Sequence, residues 1–217
     1  GKVNLPPLLK PPSYLLNLYT SSDSIATSFH KNIRGYNILL ACISFEANIN
    51  KEFQKQGISN FRIHGQVYHC IGSLLPENNH SPTFAQLYIY ATEHENENQK
   101  NIMQDLNHDI LLYLQNMLDE CNPYIQSFCQ VRNIILSNIT SEISMIIHSD
   151  RTHNLHHYNA SASSELAAIM IGDGHNIELT NQDIVLRLHD KGLQRISETY
   201  LSYDPLHYIL LFPKGDD

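Results

Sequence analysis

Apolar residues recur every three to four positions in two stretches near the middle of the chain, and this spacing predicts two helices. The apolar positions of the first helix are Leu106, Ile110, Leu114 and Met117 or Leu118. Those of the second helix are Tyr124, Phe128, Val131 and Ile135. Asn122-Pro123 separates the two helices, because proline is favoured at the first helical position. The centre of the chain is therefore predicted to be helical.

Two further helices are predicted from capping signals. Asp23 or Ser22 is placed to cap a helix that ends near Ile33, at Gly35. Thr92-Glu-His-Glu95 has the spacing of a capping box, which predicts a helix that runs to about Met103.

Alternating positions and short apolar runs predict several strands between and after the helices. The predicted strands cover residues 37–45, 61–72, 84–90, 143–148, 166–171, 184–188 and 193–196. Gly65 is expected to mark a bulge or a close approach of the backbone. Asp190-Lys-Gly192 predicts a hairpin turn that joins the last two strands. The fold class expected from this order is α+β, with mixed, mainly antiparallel strands, several helices and two loosely separated subdomains.

The predicted domain organisation has three parts. Residues 1–20 form an extended lead-in, since the first twelve residues include four prolines. Residues 21–138 form an α+β subdomain with central helices, and residues 139–217 form a smaller β-rich subdomain that ends in a helix. The soft boundary lies near residues 136–141. Because the chain has no initiator Met, we expect it to be a piece of a longer polypeptide.

The chain has 14 basic and 22 acidic side chains, which give a net charge of −8. This charge argues against binding of the nucleic-acid phosphate backbone as its dominant role. A small basic patch with aromatic residues for base stacking remains a candidate, although a solvated face is the favoured alternative. Its members are Lys31, Arg34, Arg62 and Arg132, with Tyr36 and Tyr68. The four cysteines form no C-x-x-C pair and are expected to be reduced thiols of an intracellular protein. No apolar run approaches the roughly 18 residues of a membrane helix, so no membrane partner is expected.

Residues that carry chemistry give weaker signals. There is no phosphate-binding loop and no paired cysteine set for structural zinc, so no cofactor is predicted. A metal site is the alternative function for the histidine-rich stretch that contains His148, Asp150, His153 and His156, but a solvated loop is favoured.

Isolated histidines and tyrosines are predicted to have structural roles. His64 and His69 face opposite sides of a strand, so one is expected to be buried and hydrogen-bonded and the other exposed. The tyrosines, which include Tyr88, Tyr200 and Tyr203, are assigned to packing or hydrogen bonding, since no activating metal or base is predicted beside them.

A series of segments nonetheless resembles one known family nearly from end to end. The segments are residues 1–8, Asn32-Ile-Arg-Gly-Tyr-Asn37, residues 61–76, Phe84-Ala-Gln-Leu-Tyr-Ile-Tyr90, Met117-Leu-Asp-Glu-Cys-Asn-Pro123, His148-Ser-Asp-Arg-Thr-His153 with residues 158–160, residues 183–185 with 193–198, and residues 203–216. In this order they resemble the amino-terminal region of the Helitron-type rolling-circle transposon proteins, the Rep/helicase polypeptides. Cys70 and Ile209 depart from the pattern, where Arg and Pro are expected, which fits a degenerate element copy.

The resemblance implies a position just before the nuclease core of that polypeptide, and a nuclear location. The family's metal-binding histidine pair, nucleophilic tyrosines and helicase phosphate loop are expected outside residues 1–217, and adjacent His156 and His157 are not that pair. We therefore expect a non-catalytic accessory module that positions transposon DNA ends or scaffolds the downstream nuclease. Its partners are the nuclease and helicase domains of the same polypeptide and single-stranded transposon-end DNA. Tyr208, Leu210 and Phe212 are expected to dock onto the nuclease domain.

Two other functions remain open beside this one. The chain is alternatively an inactive transposon remnant or a protein-interaction module. A stand-alone metal enzyme that uses the histidine-rich stretch ranks last.

Overall fold

The fold was analysed in a computed structural model of the chain. The structure describes residues 10–46, 68–76, 80, 82–89, 106–137, 142–148, 167–171, 183–189 and 194–216. Within these residues it combines helices with two small antiparallel sheets, so the predicted α+β class is confirmed. No helix in these ranges is long and apolar enough to cross a membrane.

The first helix, α1 (Ser13–Thr20), lies in the segment that was predicted to be extended. That prediction is wrong for these residues, because Pro11 and Pro12 precede the helix and leave its interior hydrogen bonds intact. Leu15 and Leu18 are buried and give the helix its apolar side. Residues 1–9 of the predicted lead-in lie outside the described residues.

The second helix, α2 (Ser24–Leu40), begins where the capping signal predicts. The Asp23 carboxylate accepts a hydrogen bond from the backbone N–H of Ala26 at 2.8 Å. The predicted end at Gly35 is wrong, and the strand predicted over residues 37–45 is observed only at its last two residues, which belong to a strand that begins at Ser44. The helix continues through the glycine because Tyr36 and Leu40 extend its buried side, and their burial outweighs the roughly 1 kcal/mol helical cost of one glycine.

Three helices follow along the chain. The predicted strand over residues 84–90 is wrong, since residues 86–89 form the short helix α3 (Gln86–Ile89). The two central helices are confirmed as α4 (His108–Cys121) and α5 (Pro123–Leu136). The helix predicted between Thr92 and Met103 lies outside the described residues.

Six strands form two separate three-stranded sheets in the described chain. The first sheet has β2 (Tyr68–Ile71) between β1 (Ser44–Glu46) and β6 (Gln194–Ile196), with His69 opposite Ile196. Only the end of the strand predicted over residues 61–72 is therefore observed, and residues 61–67, with Gly65, lie outside the described ranges.

The second sheet has β3 (Ile143–Ile147) between β4 (Ala167–Ile171) and β5 (Ile184–Arg187). All neighbouring strands in these two sheets are antiparallel, whereas the prediction was of mixed, mainly antiparallel strands. The predicted hairpin between the last two strands is wrong, because β5 and β6 belong to different sheets. Asp190-Lys-Gly192 itself lies outside the described residues.

One cluster of buried side chains joins the helices to both sheets. Helix α2 packs on α1 and α4, while α5 packs on α3, α4 and β4. Close contacts also cross the predicted boundary near residues 136–141, since β6 pairs with β2 and the backbone N–H of Leu74 donates to the carbonyl of Arg187 at 2.9 Å. The division into subdomains stays a prediction.

The chain closes with the short helix α6 (Tyr203–His207) and a series of turns. We call residues 203–216 the terminal segment. Leu206, Ile209 and Leu210 of this segment are buried in the same core as the central helices. The terminal segment therefore completes the core of this chain.

Candidate functional site

Two imidazoles and a phenol come together where the terminal segment meets the first sheet. His69 lies on β2 and is 5% exposed. Tyr203 and His207 lie four positions apart on α6, a spacing that places two side chains on one face of a helix. We call these three residues the ring cluster. It is the densest group of chemistry-bearing side chains that contact one another in the described residues.

The rings of the cluster are in direct contact. The Tyr203 hydroxyl lies 2.7 Å from Nδ1 of His69, and the two rings meet edge to face with centroids 4.8 Å apart. His207 packs on the other imidazole with a centroid distance of 4.2 Å at 64°. Tyr208 closes the outer side of His207, at 4.3 Å between ring centroids. Nδ1 of His207 is buried and has no hydrogen-bond partner within the part of the chain that the structure describes.

Burial is the main cause of every pKa shift in the cluster. It raises the pKa of Tyr203 to about 12, and the nearby Tyr208, Asp204 and Glu198 reinforce that rise. Burial lowers the pKa of His69, while Glu198 opposes the shift. Burial and the neighbouring His69 lower the pKa of His207 to about 4, with Asp204 opposing. All three groups are therefore neutral near pH 7.

The neutral cluster holds the elements together without an activated nucleophile. Because the phenol keeps its proton, we assign it as the donor to Nδ1 of His69, which places the imidazole proton on Nε2. A nucleophilic tyrosine beside a base has the same arrangement, but it needs a lowered pKa or an adjacent metal. With a pKa of about 12, about one Tyr203 phenol in 10⁵ is ionised at pH 7.

Hydrogen bonds fix the first half of the terminal segment to α2. The backbone N–H of Cys42, just after that helix, donates to the carbonyl of Leu206 at 2.9 Å. The Asn37 side chain holds the segment at two points: its amide donates to the His207 carbonyl at 2.9 Å, and its oxygen accepts from the N–H of Leu210 at 3.3 Å. One asparagine thus binds backbone on both sides of a turn.

The second half of the terminal segment is held by α1 and by the junction of α4 and α5. The Tyr19 hydroxyl donates to the carbonyl of Leu210 at 3.4 Å, and the Cys121 thiol donates to the carbonyl of Pro213 at 3.2 Å. Gly215 adopts a φ of +67°, and an added Cβ would lie 3.1 Å from a Pro123 side-chain carbon and 3.2 Å from Tyr124. Glycine suits this position for both reasons. The segment is therefore anchored along most of its length.

The predicted basic patch is brought together only in part. Lys31 and Arg34 are exposed and share one side of α2, next to the exposed His30. Arg132 lies on α5, where its charge acts on Asp119. Arg62 lies outside the described residues, as does the side chain of Tyr68 on β2.

The prediction that Tyr36 stacks on bases is wrong. This side chain is 0% exposed, and its hydroxyl donates to the carbonyl of Asn107 at 3.3 Å and accepts from the Asn107 N–H at 3.0 Å. It therefore links α2 to the start of α4 inside the core.

The docking prediction for the terminal segment is wrong for Leu210, which is 2% exposed and packs in this chain's own core. Phe212 is half-buried. Tyr208 is 41% exposed, and the neighbouring Leu211, which the prediction omitted, is 66% exposed. Ile209 and Leu210 between them are buried, so Tyr208 and Leu211 face outward from one turn.

The predicted metal ligands are described only at His148. Its Nδ1 lies 3.7 Å from a carboxylate oxygen of Asp183, across neighbouring strands. Asp150, His153 and His156 lie outside the described residues, among which no group of three metal-ligating His, Cys, Asp or Glu side chains is found.

The ring cluster was not predicted from the sequence because His69 is 134 positions away from Tyr203. Two signals pointed towards parts of it. One histidine of the pair His64 and His69 was expected to be buried, and His69 is. Tyr203 was expected to form a hydrogen bond, and it does so with that histidine.

No protein-family model and no curated protein matches this chain. The resemblance to Helitron-type proteins therefore stays a prediction that rests on the sequence segments given above.

Proposed function

We propose that this chain is a non-catalytic accessory module of a Helitron-type Rep/helicase polypeptide, and that it holds the domain that follows in a fixed position. The anchored terminal segment is the observation that carries this proposal. Contacts from α1, α2 and the α4–α5 junction fix its course from Leu206 to Gly215. A chain that leaves a rigid core in one direction restricts where the next domain sits. Fixed geometry of this kind accelerates a reaction by orienting its reacting groups.

The electrostatics of the ring cluster support a positioning role over chemistry. Its phenol has a raised pKa and its imidazoles have lowered pKa values, so proton transfer from the phenol to an imidazole is strongly unfavourable. The cluster is best explained as a structural contact that holds α6 against β2.

The exposed part of the terminal segment supplies a surface for the next domain. Leu211 donates its backbone N–H to the carbonyl of Tyr208 at 2.8 Å, so both exposed side chains belong to one turn. Neighbouring exposed apolar side chains offer a surface that another domain can cover. The nuclease domain implied by the family resemblance is the partner that we propose for this turn.

A binding titration of this chain with that nuclease domain tests the proposal. Leu211→Ser is expected to weaken binding about fivefold or more, since truncating an interface anchor costs more than about 1 kcal/mol. Leu136→Ser is the matched control, because Leu136 is 68% exposed but lies at the end of α5. Equal binding by both variants, or no binding by the unaltered chain, would contradict the docking role.

The shared exposed side of α2 favours a second function, which is contact with single-stranded transposon ends. Lys31 and Arg34 are the cations that would meet phosphates there. Removing both charges with Lys31→Gln and Arg34→Gln is expected to reduce the slope of log affinity against log salt by about 1.4, at about 0.7 per phosphate contact on single strands.

Fluorescence anisotropy with a labelled oligonucleotide measures that slope. The control removes two exposed cations elsewhere, by Lys10→Gln with Arg187→Gln. The same loss in both double variants would show a nonspecific charge effect and contradict a binding face on α2.

The reading frame beyond Asp217 separates the accessory module from an inactive remnant. The proposed module requires that the frame continue into the nuclease histidine pair and the helicase phosphate loop. A stop codon close behind this chain would favour the remnant.

A further inference from the structure

The ring cluster joins two parts of the chain through uncharged rings. His69 comes from β2, while Tyr203 and His207 come from α6. The contacts consist of one hydrogen bond of 2.7 Å and two edge-to-face ring pairs. Within the described residues His207 forms no ion pair with a carboxylate, so a positive charge on its imidazole is not compensated by direct contact there.

Two carboxylates of the described residues act on the imidazoles of the cluster. Glu198, in the turn before α6, and Asp204, on α6 itself, both act to raise the imidazole pKa values. Both carboxylates are exposed, and their effect is smaller than that of burial. The rings of Tyr203 and Tyr208 also lie next to His207, with centroids 6.1 and 4.3 Å away, and burial raises the pKa of Tyr203 to about 12.

We propose that the ring cluster is a pH-sensitive latch, which fastens the terminal segment to β2 while the His207 imidazole is neutral and releases it when that imidazole is protonated. The latch itself follows from the burial and ring contacts of His207. Its effect on the position of a following domain rests on the function proposed above.

Protonation weakens the latch in two ways. A proton on Nδ1 of His207 places a charge on a buried atom that has no hydrogen-bond partner, which is costly. Protonation of both imidazoles places two like charges on rings whose centroids are 4.2 Å apart. When the terminal segment separates from β2, both imidazole rings are exposed to water and both of these costs are removed.

The direction of the pH dependence follows from the shift of His207. In the closed state its pKa is about 4, against 6.5 for a solvated histidine, so the open state binds more protons between these values. The latch is fully stable above pH 6.5 and loses stability as the pH falls from 6.5 towards 4. From these two values the opening equilibrium at pH 5.0 is expected to be about 25-fold larger than at pH 7.5.

Hydrogen exchange on the unaltered 217-residue chain tests the latch. Exchange rates are first corrected for the pH dependence of intrinsic exchange. From the same two pKa values, the opening equilibrium constant of the amides of residues 203–212 is expected to be about 25-fold larger at pH 5.0 than at pH 7.5. Amides in the middle of α4 serve as the internal control and should change little. Equal changes in both regions, or none in the terminal segment, would overturn the proposal.

Variants identify the titrating group. His207→Leu keeps an apolar side chain and removes the proton site, so the acid-induced opening is expected to fall to a few-fold or less. His30→Gln alters an exposed histidine on α2 and should retain the full effect. A pH response that is the same in His207→Leu as in the unaltered chain would overturn the assignment.

An NMR titration of the imidazoles needs no variant and decides the matter if His207→Leu does not fold. The proposal requires the His207 resonance to titrate near pH 4 in the folded chain. Titration at or above pH 6 would overturn it.

Discussion

The central helices and the terminal segment reach the same core by different means. Helices α4 and α5 are specified by signals close to them in sequence: Asn107 and Asn122 cap them, and each carries a regular apolar stripe. The terminal segment has only one short helix, and its fixing contacts come from residues 92 to 191 positions away. The comparison teaches that local pattern determines where helices form, whereas distant polar contacts determine how an irregular segment is held.

The largest effect on stability is expected from a core substitution in one of the two central helices. Phe128 is 0% exposed at the centre of α5, so Phe128→Ala should lower the free energy of unfolding by about 3 to 5 kcal/mol. The loss should be global, because this residue packs in the shared core. Chemical denaturation measures it, with Leu112→Ala on the exposed side of α4 as a control that changes stability by less than about 0.5 kcal/mol. Comparable losses in the two variants would contradict the core position of Phe128.

An intermediate effect is expected at the junction of the two helices. Asn122 is buried, and its side-chain oxygen accepts from the N–H groups of Tyr124 and Ile125 at 3.0 and 3.2 Å. Asn122→Ala should cost about 1 to 2 kcal/mol through the lost cap. Its amide nitrogen has no hydrogen-bond partner among the described residues, so removing that group offsets part of the loss. Asn107→Ala, at an exposed cap, should cost less in the same denaturation experiment, and a larger cost there would contradict this ranking.

The smallest global effect is expected at the terminal segment. Asn37→Ala removes two hydrogen bonds to its backbone, and we expect it to cost about 1 kcal/mol or somewhat more. Hydrogen exchange should show the change mainly in residues 206–212 and little in α4. The matched control is Asn32→Ala on the same helix, whose side chain bonds only the Ser28 carbonyl one turn away. A uniform increase of exchange in Asn37→Ala would show that the terminal segment does not open separately.

The sequence predicted the central helices closely and the α2 region only in part. Asp23 gave the start of α2, but Gly35 and the apolar run after it suggested a break and a strand. Tyr36 could not be assigned to the core from its neighbours alone, because its burial depends on a contact with Asn107, 71 positions away. The strand prediction over residues 84–90 was wrong for a related reason. Alternation over so short a stretch does not distinguish a strand from the single helical turn of α3.

The candidate site was less predictable than the helices. Leu210 was expected to face another domain because its neighbours are apolar, yet that same property buries it against α1 and α2. The ring cluster requires β2 to lie beside α6, and the pairing of β2 with β6 brings those two distant parts of the chain together. No local spacing in the sequence encodes that pairing.

A cleavage assay tests most directly the claim that this chain provides position and not chemistry. The 217-residue chain is incubated with labelled single-stranded oligonucleotides of randomised sequence and with Mg²⁺ or Mn²⁺, and products are separated under denaturing conditions. The account predicts no strand cleavage and no covalent protein–DNA adduct, with the same result for Tyr203→Phe. A metal-dependent adduct that maps to Tyr203 and disappears in that variant would contradict it.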